Sequence, residues 1–170
     1  CTGNAADRPG PADQTRVEER DDVLVYTSGL LDEDKWIAGP ITAHLVVSSS
    51  CKDTDVVARL VDVWPDGRAT SIQEGALRLR YRNGISAPAL LEPGKPVRAV
   101  VDLRSIAYRI AKGHRLRLDL TSSSFPRLER NLNTGNANAT ETRIEVAINT
   151  LHYDVDGGSW LELLAMPAPR

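Results

Sequence analysis

The chain has 170 residues, of which 41% are hydrophobic and 26% are charged, values typical of a globular domain with its own core and not of a disordered chain. Its 21 basic and 23 acidic residues leave a formal net charge of −2, so charge gives no reason to expect nucleic acid or an anionic membrane as partner. No apolar run approaches the length of a membrane span, and the polar start predicts no signal peptide.

The sequence has two cysteines and one methionine, Met166. Two cysteines are too few for a disulfide framework, and the compartment is left undecided, with the cytoplasm slightly favoured over secretion. Because no methionine stands at the start, the chain is expected to be cut from a longer polypeptide or processed.

The first 21 residues are rich in glycine, proline and charge and show no periodicity. They predict a linker or extended arm over residues 1–21, with order beginning at Asp22 and one domain over residues 22–168.

From Asp22 onward, apolar and polar residues alternate with period two, which is the pattern of strands that bury one face. The predicted strands are Ile41–Val47, Leu77–Arg82, Val97–Leu103, Arg115–Leu120, Arg143–Tyr153 and Ser159–Met166. On the strand Leu77–Arg82 the three arginines fall on one face, which predicts a solvated outer surface.

The segment Val56–Trp64 departs from this pattern, since it is apolar on both faces apart from Arg59 and Asp62. A strand of that kind is covered on both sides. The cover could be loops of this domain or a neighbouring domain.

Turn residues separate the strands, and the last turn, Asp154–Gly158, is predicted to join two strands of a terminal hairpin. The other predicted turns are Pro65-Asp66-Gly67, Asn83-Gly84, Pro93-Gly94 and Lys112-Gly113. Eight to ten short strands without an amphipathic helix predict an all-β fold, a jelly-roll β-sandwich of two antiparallel sheets.

The residues that could carry chemistry do not form a catalytic set. There is no GxSxG motif for a serine nucleophile. His44 and His152 are predicted at the surface, and His114 is predicted to be half-buried and structural. Asp53 and Asp55 are weak calcium candidates, because carboxylate oxygens suit Ca²⁺, although Asx-turns explain them as well. No other metal and no cofactor is predicted.

Two recognition features remain. The tryptophans Trp36, Trp64 and Trp160 could form a sugar-binding platform, but most are expected to serve packing. The loop 121–135 is long for a compact sandwich, and its apolar tip with flanking charges has the composition of an interface. Its candidate contact residues are Phe125, Pro126, Arg127, Leu128, Asn131 and Asn133.

A series of motifs along the chain resembles one family, the C-terminal domains of X-Pro dipeptidyl-peptidases and of cocaine esterase-like acyl hydrolases. The series runs DVLVYTS (22–28), GP (39–40), DTD (53–55), LVDVWPDG (60–67), LRLRYR (77–82), KGHR (112–115), SSSFPR (122–127) and NLNTG (131–135). The resemblance covers roughly residues 11–165.

That resemblance implies a jelly-roll sandwich related to galactose-binding domains, which follows a serine α/β-hydrolase domain in the same polypeptide. It implies that the catalytic triad lies in the hydrolase domain and that none of its members is in this chain. It also implies that the sandwich packs on the catalytic domain and, in some members, helps to wall the substrate pocket. We expect strand 56–64 and loop 121–135 to make that contact. The alternative from a different class is a stand-alone carbohydrate-binding module, and the oligomeric state is open.

Overall fold

The computed structural model describes residues 11–155 and 157–166. These residues form an antiparallel β-sandwich with eight strands and one short α-helix, α1, at Thr15–Glu18. The strands are β1 (Leu24–Thr27), β2 (Lys35–Ser49), β3 (Asp55–Val63), β4 (Ala69–Arg78), β5 (Val97–Ile110), β6 (Arg115–Thr121), β7 (Asn149–His152) and β8 (Trp160–Met166). The predicted fold class is confirmed. Residues 1–10 of the predicted linker, Asp156 of the predicted last turn and residues 167–168 of the predicted domain lie outside the described residues.

The strands divide into two sheets, and the chain crosses repeatedly from one to the other. Sheet A has the order β1-β6-β3-β4. Sheet B has β5 on one edge of the long strand β2, while β7 and β8 both pair with the other edge. All these pairings are antiparallel.

The core lies between the sheets and follows the period-two pattern. Side chains at every second position of each long strand are buried, since alternate residues of a strand point to opposite faces. They include Ile41, Ala43 and Leu45 of β2, Val56, Ala58 and Leu60 of β3, and Ala99, Val101 and Leu103 of β5. The predictions for these strands and for β6 are confirmed.

The predicted strand Leu77–Arg82 is wrong in its second half, because β4 ends at Arg78 and a 3₁₀-helix follows at Leu79–Tyr81. The backbone N–H of Leu79 donates to the carbonyl oxygen of Thr54, and that of Arg80 donates to the carboxylate of Asp53. These bonds replace the strand ladder and turn the chain.

The predicted terminal hairpin is also wrong. β7 pairs with Val46–Ser49 of β2, and β8 pairs with the earlier part of the same strand, from Trp36 to His44. The two strands therefore follow each other along one edge, and the described residues between them, 153–155 and 157–159, form an excursion. Ser159 closes this excursion, since its Oγ accepts from the N–H of Val46 at 2.9 Å and donates to the carbonyl oxygen of His152 at 2.9 Å.

The outer face of sheet A is covered by the chain's own residues 11–23, named here the N-terminal segment. Gln14 N donates to Ala69 O at 2.8 Å, and Ser71 N donates to Ala12 O at 2.9 Å. Under this cover Val57 and Val61 of β3 are fully buried. The described part of the predicted linker is thus ordered, and it provides the second cover that the apolar strand 56–64 requires. The expectation that strand 56–64 contacts a neighbouring domain is wrong for this reason.

Candidate interface at the loop end of the sandwich

Three connections meet at one end of the sandwich, residues 50–54, 79–96 and 122–148, and together they are called the loop end. Backbone hydrogen bonds join them: Leu91 N donates to Lys52 O at 2.8 Å, and Ser50 N donates to Ile148 O at 2.9 Å. The loop end is therefore one surface built from parts of the chain that are distant in sequence.

A buried ionic network centred on Asp53 fixes the loop end. Asp53 has no exposed surface. Its carboxylate accepts hydrogen bonds from the backbone N–H of Arg80 at 2.9 Å, from Arg80 Nε at 2.7 Å and from Asn131 Nδ2 at 2.9 Å. A buried carboxylate needs an opposite charge and filled acceptor sites, and these partners supply both.

Asp55 extends the network through Arg78. Its two carboxylate oxygens accept from Arg78 Nε at 2.9 Å and Arg78 Nη2 at 3.1 Å, and Asn131 Nδ2 donates to it at 2.7 Å. The hydrogen bonds to Asp55 raise the pKa of Arg78 above its ordinary value. The same amide of Asn131 therefore bridges both aspartates.

The two arginines also hold the long connection 122–148. Arg78 Nη2 donates to the carbonyl oxygen of Glu129 at 3.2 Å, and Arg80 Nη2 donates to that of Asn136 at 3.0 Å. The prediction that these arginines form a solvated face is wrong, because both side chains are largely buried in ion pairs. The calcium candidates Asp53 and Asp55 form ion pairs with the guanidinium groups of Arg80 and Arg78, respectively.

The tip of the loop 121–135 is exposed but tied to sheet A. Phe125, which is joined to Pro126 by a cis peptide bond, is 61% exposed, and the Arg130 guanidinium lies 5.3 Å from its ring centre. Arg127 forms an ion pair with Glu74 of β4, and Ser124 Oγ donates to the same carboxylate at 3.0 Å. Leu128 is half-buried, and its N–H donates to Ser124 O at 3.0 Å.

Asn131 and Asn133 point into the molecule and position the backbone. Asn131 is 5% exposed, and its Oδ1 accepts from Asn133 N at 2.9 Å. Asn133 has a left-handed backbone with φ of 62°, a conformation that asparagine tolerates better than most residues. Its Nδ2 donates to Glu145 O at 2.7 Å, and Glu145 N donates to Leu132 O at 3.0 Å. These bonds attach residues 143–148 to the loop.

The result is an exposed apolar strip formed by Ile144, Val146 and Ile148, which are 62%, 90% and 72% exposed. Residue alternation predicts these three side chains on the buried face of a strand Arg143–Tyr153, but only Asn149–His152 of that range is strand. The alternation of apolar and polar residues indicates that the three side chains lie on the same side of the segment. It does not indicate whether that side is buried. The segment is held by its backbone, since Ile148 N donates to Ser50 Oγ at 2.9 Å and Val146 O accepts from Cys51 Sγ at 3.7 Å. A fixed strip of large apolar side chains in water is typical of a surface that binds a protein.

The histidines have structural partners. His44 Nε2 lies 2.8 Å from Glu162 Oε2, and its ring stacks on Trp160 with 4.6 Å between centres. His114 is buried with Nδ1 2.8 Å from Asp62 Oδ1, as a structural histidine should be. His152 is half-buried, with Nε2 2.9 Å from Ser48 Oγ, so its predicted surface position is only partly right.

Two apolar clefts of about 330 and 350 Å³ open between β1 and β6 of sheet A and β7 and β8 of sheet B. Leu45, Leu120 and Leu151 line both. The shared aliphatic walls continue the core, and Tyr26, Tyr153 and Trp160 add aromatic side chains to the second cleft. Among the described residues, no helix is long and apolar enough to span a membrane.

Comparison with known proteins places this geometry in context. The family described as X-Pro dipeptidyl-peptidase C-terminal non-catalytic domain matches residues 3–160. The chain is 41% identical over 145 residues to cocaine esterase of Rhodococcus sp. (strain MB1 Bresler), covering 84% of this chain and 25% of that protein.

Two solved structures contain a region with the same fold. An aminopeptidase from a marine sediment archaeon, Thaumarchaeota archaeon, superimposes with a TM-score of 0.86 at 27% identity. An α-amino acid ester hydrolase superimposes with a TM-score of 0.85 at 28% identity. Each match covers 91% of this chain and 27% of the other. The chain thus spans about a quarter of the length of the relatives that it matches.

Proposed function

Because the chain belongs to the family of X-Pro dipeptidyl-peptidase C-terminal non-catalytic domains, we propose that it packs through its loop end on a serine α/β-hydrolase domain of the same polypeptide. The hydrolase domain supplies the nucleophile, the base and the oxyanion hole of an acyl-enzyme reaction on esters or amides. The sandwich supplies a rigid wall beside that domain and helps to shape the substrate pocket.

The observation that carries this proposal is the apolar strip, which is at once exposed and fixed. Free ends of a chain lose conformational entropy when they bind, whereas a surface already held by Asp53, Asp55 and Asn131 loses little. Ile144, Val146 and Ile148 offer apolar area at the centre, and Phe125 and Pro126 offer more at the loop tip. An apolar centre with charged residues around it is the composition of a domain interface.

The first test separates the accessory role from catalysis. The 170-residue chain is assayed beside a polypeptide that joins it to its α/β-hydrolase domain, with an X-Pro anilide and a p-nitrophenyl ester as substrates. We expect turnover and labelling by a serine-directed fluorophosphonate only in the longer polypeptide. Hydrolysis and labelling of the 170 residues alone would place a nucleophilic serine in the sandwich and overturn the proposal.

The second test locates the interface. In the longer polypeptide, the double variant Val146→Asp/Ile148→Asp brings two charges into the proposed contact, where they would lose their hydration. We expect kcat/KM and the melting temperature to fall. The matched control is Val100→Asp, an exposed position on β5 that lies outside the loop end. If the double variant behaves like this control, the loop end is not the interface.

A further inference from the structure

A row of paired residues crosses the outer face of sheet A beneath the N-terminal segment. Val25 of β1 is opposite Asp119 of β6, Asp119 is opposite Arg59 of β3, and Arg59 is opposite Glu74 of β4. The row is closed from above by Gln14 and α1. It therefore places ionisable groups in a layer that solvent does not reach freely.

The guanidinium groups around this row donate their hydrogen bonds to partners other than Asp119. Arg59 donates to Glu74 Oε2 through Nε at 2.8 Å and to Gln14 Oε1 through Nη1 at 2.8 Å. Arg117 donates to Thr27 Oγ1 through Nε at 2.8 Å and is ion-paired through Nη1 with Glu18 Oε2.

Asp119 is left with no donor among the described residues. It is 1% exposed, and neither of its carboxylate oxygens has a hydrogen-bond partner in the part of the chain that the structure describes. The second oxygen of Glu18, Oε1, is buried and without a partner there as well. Arg117, two positions before Asp119 on the same face of β6, brings Glu18 into this layer. Two buried carboxylates of this kind would each be costly to bury, and their charges repel each other. One proton between them removes both problems, because a protonated carboxyl donates a hydrogen bond to the other.

We propose that Asp119 and Glu18 share one proton at neutral pH, and that this proton fastens the N-terminal segment to sheet A. Asp119 is the donor, and Glu18 Oε1 is the acceptor. Glu18 Oε2 keeps its ion pair with Arg117. The proton thus joins a residue of the sandwich to the segment through which the chain enters it.

The charges around the pair are consistent with this assignment. Burial and the negative charge of Glu18 raise the pKa of Asp119, Arg59 and Arg117 oppose the shift, and the net pKa is about 7. The other ionisable group of this layer is Glu74 of β4, whose charge is neutralised by Arg59 and Arg127. The residues of β1 beside the layer, Val25 and Thr27, do not ionise. Burial also lowers the pKa of Arg59. Two guanidinium groups already provide positive charge, so a proton suits this site better than a metal ion.

The sign of the pH dependence follows from linkage. Asp119 binds its proton more tightly when the segment is docked than in the open or unfolded chain, where an aspartate has a pKa near 4. The stabilisation is therefore complete below about pH 4 and is lost as the pH rises toward 7, after which the loss levels off. The docked segment is least stable above neutral pH.

The experiment is a carboxyl ¹³C NMR titration of the 170-residue chain and of Asp119→Asn, with the Asp119 resonance identified by its loss in the variant. Amide exchange of Gln14 and Ser71 reports segment docking, because their N–H groups make the bonds that hold it. We expect Asp119 to titrate near pH 7. The protection factors of both amides should fall by up to about tenfold per pH unit between pH 5 and 7 in the wild type and stay constant in D119N.

The matched control is Glu92→Gln, which removes an exposed carboxylate and should leave the pH profile of the wild type unchanged. An Asp119 carboxyl that titrates near pH 4 would overturn the proposal, as would protection factors with the same pH dependence in wild type and D119N. A saturable shift of the Asp119 resonance on addition of Ca²⁺ at constant pH would overturn it too, since the site would then bind a cation.

Discussion

Asp53 binds the three parts of the loop end together, because its single carboxylate accepts from Arg80 twice and from Asn131 once. We expect Asp53→Ala to lower the free energy of unfolding by about 3–5 kcal/mol, since it leaves the largely buried Arg80 guanidinium without its counter-ion. Urea denaturation followed by circular dichroism measures this loss.

The control for that substitution is Glu92→Ala at the other kind of ion pair. Glu92 and Lys95 are both exposed and 3.1 Å apart, and such a pair contributes at most about 1 kcal/mol. A loss for Asp53→Ala as small as that for Glu92→Ala would mean that the network does not support the fold.

The sequence identified Asp53, Asp55 and Asn131 as notable but not their role. The charges of the two aspartates suit calcium as well as arginine, and their partners Arg78 and Arg80 lie more than 20 residues further along the chain. Partner choice depends on where the backbone places the arginines. That in turn depends on the 3₁₀-helix that follows β4 at Leu79–Tyr81, which residue alternation did not predict.

At the scale of elements, the close approach of β4 to β5 depends on a glycine. A Cβ atom built at Gly75 would lie 2.2 Å from the carbonyl oxygen of Asp102, which is a backbone atom and cannot turn aside. We expect Gly75→Ala to destabilise the chain by about 1–3 kcal/mol, because the two strands must move apart to admit the methyl group. The change in melting temperature and in the urea midpoint measures it.

Gly29→Ala is the matched control, since no atom lies within 4 Å of a Cβ built there. It should change stability by less than about 0.5 kcal/mol. Equal effects at the two glycines would show that the effect is one of chain flexibility and not of strand packing.

Residue alternation predicted the long strands correctly, but it did not predict how β7 and β8 pair at the edge of sheet B. In β5, burial alternates with the residues because the facing sheet covers one side. At the other edge, β2 is 15 residues long, and the short strands β7 and β8 occupy it one after the other. The turn residues near Asp154 indicate that the chain leaves the sheet, but they cannot indicate that it returns to the same edge. Pairing partners are set by the whole sheet and not by local pattern.

At the scale of the whole molecule, the residues that stabilise the fold differ from the apolar residues that the fold exposes at its surface. The core is covered by the two sheets and by the N-terminal segment. The side chains of the apolar strip are exposed mainly to water. A substitution in the strip should therefore change the surface without changing the fold. This distinction can be tested on the 170-residue chain by itself.

For the double variant Ile144→Thr/Val146→Thr, at two strip residues that line neither cleft, we expect a free energy of unfolding within about 0.5 kcal/mol per substitution of the wild-type value, because exposed side chains lose little on replacement. We also expect weaker fluorescence of an apolar dye such as anilinonaphthalene sulfonate, since a contiguous apolar patch is removed. Val100→Thr removes one isolated exposed valine from β5 and should leave the dye signal unchanged. A loss of stability above about 1 kcal/mol per substitution would mean that the strip is packed against the domain. An unchanged dye signal would mean that the dye binds in the clefts beside Leu45 and Leu151. Either result would remove the strip as the apolar centre of an interface and leave the loop tip at Phe125 as the remaining apolar contact.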